Sequence, residues 1–246
     1  EQDPGIPLRD AEAGYALFTQ AGHGKWCGIF RVLAGMSAWF AGDLAHAERA
    51  FSDPSAMDPN LPAMAAHRVA VLTDLRLSRG ELTAAQLSAS ALIERGLALH
   101  HPFDEGFGRY ALAKVLNAAG DQDAAAREAL RAGQLLVMPV HRLWALSLLS
   151  VIRRSQGRSQ EACAVAAEAV HECEALRWYA YRSTEVKLAY IEALLAVGDK
   201  DQAQSRIADL KQRLLATAAQ LSAPELRTNF LRNVPTHARI MELAGG

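Results

Sequence analysis

The chain has 246 residues, half of them hydrophobic and 22% charged, with a formal net charge of −1. That is globular composition with room for one large or two small cores. It excludes a molecule-wide electrostatic attraction to nucleic acid or to an anionic membrane.

Roughly a fifth of the residues are alanine, aromatics are modest and β-branched runs are scarce, a mix that favours helix. The opening stretch "EQDPGIPL" reads as a linker, and the first methionine is Met36. The chain is therefore expected to be a domain of a longer protein. A leading helix is predicted over 8–21. "GHGKW" at 22–26 lacks the GxxxxGK[ST] spacing that cradles phosphate, and reads as a helix boundary.

From there a unit recurs. Gly42, Gly80, Gly120, Gly157 and Gly198 lie 38, 40, 37 and 41 residues apart. Five residues after each stands an alanine: Ala47, Ala85, Ala125, Ala162 and Ala203. An acidic residue follows four of the glycines, as Asp43, Glu81, Asp121 and Asp199. Glycine ends a helix cheaply in the left-handed conformation. The acid suits the start of the next helix. The alanine lets two helices approach closely. Each unit is thus a helix, a tight turn and a helix. The predicted pairs are 25–41 with 43–52, 62–79 with 81–99, 104–119 with 121–136, 139–156 with 158–175, and 179–197 with 199–220. Two short helices follow, one capped by Ser222 with Pro224 in its first turn, the other starting at Pro235.

Few chemical signatures interrupt this pattern. His100, His101, Asp104 and Glu105 are close in sequence, but adjacent histidines rarely aim at one metal, so the stretch reads as a loop between pairs. His171 and Cys173 face different sides of a helix. Cys163 and Cys173 share a helix about 15 Å apart, too far for a disulfide. The sparse cysteines suit a reducing cytoplasm. No apolar stretch approaches the ~18 residues of a membrane span, and no secretory signal opens the chain. No catalytic residue, metal or cofactor is assigned.

The Gly-acidic turn followed by alanine resembles the tetratricopeptide repeat (TPR) family. The family's small first-helix position falls at Gly35, Thr73, Ala113, Ser150 and, less well, Ile191. Its late second-helix aromatic is matched by Phe51, and its inter-repeat proline loosely by Pro54 or Pro59, Pro102 and Pro139. The units are longer than the usual repeat. The resemblance implies an all-α fold, a right-handed α-solenoid of about five elongated TPR-like pairs over 24–220. The linker and leading helix at 1–23 precede the pairs, and capping helices at 221–246 seal the far end of one continuous domain.

The same resemblance implies a concave groove lined by the first helices. Its candidate binding residues are Met36, Trp39, His67, Asp74, Phe107, Tyr110, Lys114, Asn117, Trp144 and Arg154. Lys114 and Arg154 have the chemistry to hold a peptide carboxylate. The alternative is that they are solvated or pair with Asp74 and Glu192 across neighbouring repeats. Trp39 and Trp144 read more as packing residues, as do Trp26 and Trp178. The ending carried by Phe230, Leu231, Val234, Pro235, His237, Arg239, Leu243 and Ala244 resembles the close of TPR-rich regions in bacterial signalling proteins: kinases, AAA-type or STAND ATPases and LuxR-type regulators. The implied function is a non-enzymatic, cytoplasmic scaffold that binds a protein or peptide segment, or a neighbouring domain, without nucleic acid or membrane. The alternative is an effector sensor that controls an attached ATPase, kinase or DNA-binding domain.

Overall fold

A computed structural model describes residues 5–57, 62–176 and 182–245. Among them the chain is all-α, with no strand. The helices are α1 Ile6–Gln20, α2 Gly24–Phe40, α3 Leu44–Ser52, a 3-10 turn Pro54–Met57, α4 Pro62–Ser78, α5 Leu82–Ala98, α6 Pro102–Ala119, α7 Gln122–Leu135, α8 Pro139–Ser155, α9 Ser159–Ala175, α10 Ser183–Val197, α11 Lys200–Gln220, α12 Pro224–Arg232 and α13 Pro235–Leu243. Most bounds fall within a residue or two of those read from the spacing. Trp178, Pro59 and the expected start of the fifth pair at 179 lie outside the described residues. No helix among the described residues is long and apolar enough to cross a membrane.

The hairpin turns share one backbone design. All five repeat glycines have φ between 74° and 88°. The residue after each donates its N–H to the carbonyl five positions back: Asp43 to Ala38, Glu81 to Arg76, Asp121 to Leu116, Arg158 to Arg153 and Asp199 to Leu194, all at 2.9–3.0 Å. That bond satisfies a carbonyl the helix end would leave orphaned. Asp43, Asp121 and Asp199 also cap the next helix, each Oδ1 accepting from a backbone N–H three residues on. Glu81 makes no such side-chain bond, because its longer side chain suits that geometry less well.

A sixth copy of the turn was not expected. Gly22 has φ 71°, and His23 donates to the Phe18 carbonyl at 2.9 Å. Here Cys27, buried, takes the place of the alanine. α1 is therefore the first arm of a hairpin with α2. Arg31 of α2 holds it, donating to Glu12 at 3.1 Å with its guanidinium 3.4 Å from the Tyr15 ring.

The small residues sit where helices meet. Ala47, Ala85, Ala125, Ala162 and Ala203 are all 0% exposed. The small first-helix positions Gly35, Thr73, Ala113 and Ser150 are buried too, as is the larger Ile191. In the first pair a Cβ on Gly35 would lie 2.6 Å from the Phe51 ring, so the glycine makes the space the aromatic fills. In the fourth, Ser150 Oγ donates to the Ala162 carbonyl at 2.9 Å, joining the two small positions directly.

The described residues form two compact units. Unit 2 covers Arg76–Asp209. Within it each helix from α5 to α10 packs on the next, and α8 also touches α6 and α10. Unit 1 joins residues up to Leu75 with Leu210–Gly246. In it α1 packs on α2, α2 on α3 and the 3-10 turn, and α12 on α13. The last two helices were expected to cover the final pair. Lys211 of α11 does donate to the Ala244 carbonyl at 3.4 Å. Their aromatic anchor, however, lies against the first pair, where Phe230 meets Phe40 edge-on at 5.7 Å.

The sealed alanines leave no volume for a larger side chain. Ala125→Leu should lower the unfolding free energy by about 1–3 kcal/mol, the usual cost of overpacking. Ala91→Leu, at an exposed position of α5, should stay within about 0.5 kcal/mol. Urea denaturation followed by circular dichroism measures both.

Candidate functional site

In unit 2 the expected groove residues lie on α6 and α8 at matching steps: 107, 110, 114 and 117 on one helix, 144, 147, 151 and 154 on the other. Such spacing keeps each set on one helix face. Depth changes along the face. Phe107, Tyr110, Trp144 and Ser147 are buried, whereas Lys114, Asn117, Val151 and Arg154 are only half-buried. The start of each helix is sealed and the end nearer the turn glycine is accessible.

The sealed part is an aromatic floor. Phe107 meets Trp144 edge-on at 5.6 Å, and the buried His141 ring lies 5.0 Å from Phe107 and 5.1 Å from Trp144. Phe103 adds a further ring 4.8 Å from Phe107. Such edge contacts fix ring orientation as well as burying area.

A residue that the spacing did not single out completes the floor. Arg182, in the left-handed region at φ 62°, has a fully buried side chain. Its Nη1 donates to Glu185 Oε1 at 2.7 Å and to the Tyr110 hydroxyl at 3.4 Å, and its guanidinium lies 5.1 Å from the Trp144 ring. A planar cation that can stack and donate at once suits such a place. Tyr110 lies 72 residues away, so no local pattern announces the contact.

Above the floor lie the accessible polar ends. Lys114 Nζ is 5.5 Å from the Tyr110 ring centre. Arg154 Nη2 donates to Glu192 Oε2 of α10 at 2.6 Å, the pairing between neighbouring repeats that the sequence left open. The Asn117 side-chain oxygen is buried and accepts no hydrogen bond among the described residues. Lys114 and Asn117 on α6 and Arg154 on α8 thus keep part of their surface toward the turn end of each helix.

The other candidates belong to unit 1. Trp39 is buried; Met36, His67 and Asp74 are half-buried. Of the ten expected binding residues, Trp39, Phe107, Tyr110 and Trp144 are therefore interior, and the remaining six keep part of their surface. In unit 2 Lys114, Asn117 and Arg154 are more exposed than the rings.

The acidic stretch after His101 has its own partners. Asp104 is buried and accepts from Arg95 Nε and Nη2 at 2.9 and 2.7 Å, and Glu105 accepts from Arg109 at 2.8 Å. Among the described residues no group of three or more histidine, cysteine or acidic side chains is arranged to hold a metal ion. Burial pushes the thiols of Cys163 and Cys173 above their ordinary range, with Asp199 adding to the effect at Cys163. Such thiols are poor nucleophiles. The chain matches no protein-family model and no curated protein.

The two arginines should respond differently to truncation. Arg182→Met removes the buried cation that pairs with Glu185 and should cost roughly 3 kcal/mol or more of stability. Arg154→Met removes a partly solvated pair and should cost no more than about 1 kcal/mol. Chemical denaturation of the two variants beside the parent chain gives the comparison.

Proposed function

We propose that the chain is a TPR-like α-solenoid module that binds a protein or peptide segment on the exposed faces of its first helices. One observation carries this reading: on α6 and α8 the residues Lys114, Asn117 and Arg154 keep part of their surface beside an aromatic floor sealed against water. A rigid floor of packed rings holds polar groups in place before a ligand arrives, which lowers the ordering cost of binding. The groups themselves suit a carboxylate. Lysine and arginine supply charge-assisted donors, and the asparagine amide can donate beside them. A peptide C-terminus or an acidic side chain is the ligand class they fit.

The repeated turn supports the same reading, since a regular array of helix pairs creates an extended surface rather than a single deep cavity. Placement within a larger cytoplasmic signalling protein is part of the proposal, resting on the resemblance of the final helices.

A library of immobilised peptides with free and amidated C-termini tests it. Binding is expected to favour free carboxylates and to weaken at least tenfold in Lys114→Glu and in Arg154→Glu. Equal binding to free and amidated peptides, or unchanged affinity in both variants, would overturn the carboxylate reading. Absence of any peptide ligand, together with saturable binding of a small molecule, would favour the effector-sensor alternative.

A further inference from the structure

The six turn glycines share one backbone conformation but not one environment. A Cβ added at Gly22, Gly80, Gly120, Gly157 or Gly198 would meet nothing within 4 Å. At Gly42 it would lie 2.2 Å from the Asn229 carbonyl oxygen and 3.0 Å from the Phe230 nitrogen. The backbone of α12 is thus laid directly on the first of the repeat turns. Asn233 Nδ2 donates to the Gly42 carbonyl oxygen at 3.1 Å, across 191 residues of chain.

The residue two places before the glycine explains the choice. It is Phe40 before Gly42, and Gln20, Ser78, Ala118, Ser155 and Ala196 before the other five. Phe40 receives the edge of Phe230 at 5.7 Å and of His237 at 6.0 Å, and those two rings lie 4.3 Å apart. The seat therefore needs both a bare turn and an aromatic, and the Gly42 turn combines them.

The ring at the centre is titratable. His237 is 1% exposed, and because the Phe230 carbonyl oxygen can only accept, its Nδ1 at 2.8 Å is the donor. Its ring neighbours are Phe40 from α2 and Phe230 from α12. Charged groups on the surrounding elements are engaged elsewhere. Asp43 in the turn accepts from the His46 N–H, Lys211 of α11 donates to Ala244, Arg227 of α12 donates to Leu221, and Arg239 of α13 donates to Glu242. Glu225 and Arg232 of α12 are exposed. A second proton on His237 would place a cation between two apolar rings.

We propose that α12 and α13 form a releasable clasp, seated on the Phe40–Gly42 turn and opened by protonation of His237.

The direction follows from linkage. Burial pushes the clasped imidazole from the ordinary 6.5 down to about 4, against the opposing pull of the Phe230 hydrogen bond. Once the tail is off, the ring regains its ordinary affinity for protons. Closure is therefore complete above pH 6.5 and weakens as the pH falls toward 4.

Hydrogen exchange of the full 246-residue chain tests this, with intrinsic rates corrected for pH. Protection of α12 and α13 amides is expected to fall about thirtyfold between pH 8 and pH 5, while α8 amides keep theirs. His237→Asn keeps a donor for Phe230 but cannot titrate, and its tail should stay protected at pH 5. Gly42→Ala should expose the tail already at pH 8, whereas Gly120→Ala, with the same left-handed strain and open space, should leave it closed. A tail insensitive to pH, an equal loss in His237→Asn, or equal effects of the two alanines would each overturn the proposal. Should His237→Asn fail to seat the tail at pH 8, imidazole 15N spectra of the parent chain decide. An Nδ1–H tautomer that yields to imidazolium in step with lost protection supports the clasp. Imidazolium within a protected tail overturns it.

Discussion

Everything in this fold leans on a single backbone bond: the N–H just past each turn glycine, donated to the carbonyl five residues earlier. It reverses the chain in two residues, which no L-residue does without strain at that glycine. A short, fixed reversal determines where the next helix starts, and hence which of its side chains face back. That is why an alanine five residues on arrives buried each time. With the helices brought so close, the first-helix position is small in four of the five pairs, Gly35 being the glycine that admits Phe51, and the fifth pair accommodates Ile191. Turn, register and core composition are three expressions of one constraint.

The same constraint shapes the surface of unit 2. Close packing at the small positions ties α6 to α7 and α8 to α9, so the opposite faces of α6 and α8 carry the larger groups. Near the connections between pairs those groups are rings, and Arg182 closes over them. Near the glycine turns they are Lys114, Asn117 and Arg154. The gradient runs from a dry aromatic floor to a half-buried polar edge along one helix face. Arg182 belongs to the floor despite its charge, because its partners are Glu185, Tyr110 and Trp144 rather than water.

Much of this was legible from local patterns, and the exceptions have physical causes. The five repeat turns declared themselves because glycine, acid and alanine each answer a short-range requirement. Gly22 reads from sequence as a helix boundary and not as a repeat turn, because a histidine and a cysteine fill the two accompanying positions. Helical spacing identified the face that carries Phe107 and Lys114, but not that one is sealed and the other half-open. Depth along a helix depends on what the next elements bring. Arg182 and the Phe40–Phe230–His237 cluster depend on residues 72 and roughly 190 positions apart, beyond the reach of any periodicity. The basic character of Lys114 and Arg154 is visible as residue type, whereas the pairing of Arg154 with Glu192 depends on where α10 packs.

Unit 1 is built from both ends of the described chain, with all of unit 2 between them in sequence. This has a kinetic meaning. A hairpin contact such as Ser150 with Ala162 closes a loop of 12 residues, whereas Asn233 with Gly42 closes one of 191. On loop-entropy grounds the longer closure costs about 2 kcal/mol more in lost chain freedom. During vectorial synthesis the first hairpins emerge long before their covering helices exist, and Phe40 waits in water while the whole of unit 2 is made. Unit 2 has its nearest neighbours at hand and needs no such delay. The order of assembly is thus written into the topology: the middle of the chain folds on local contacts, and the first turn is covered last.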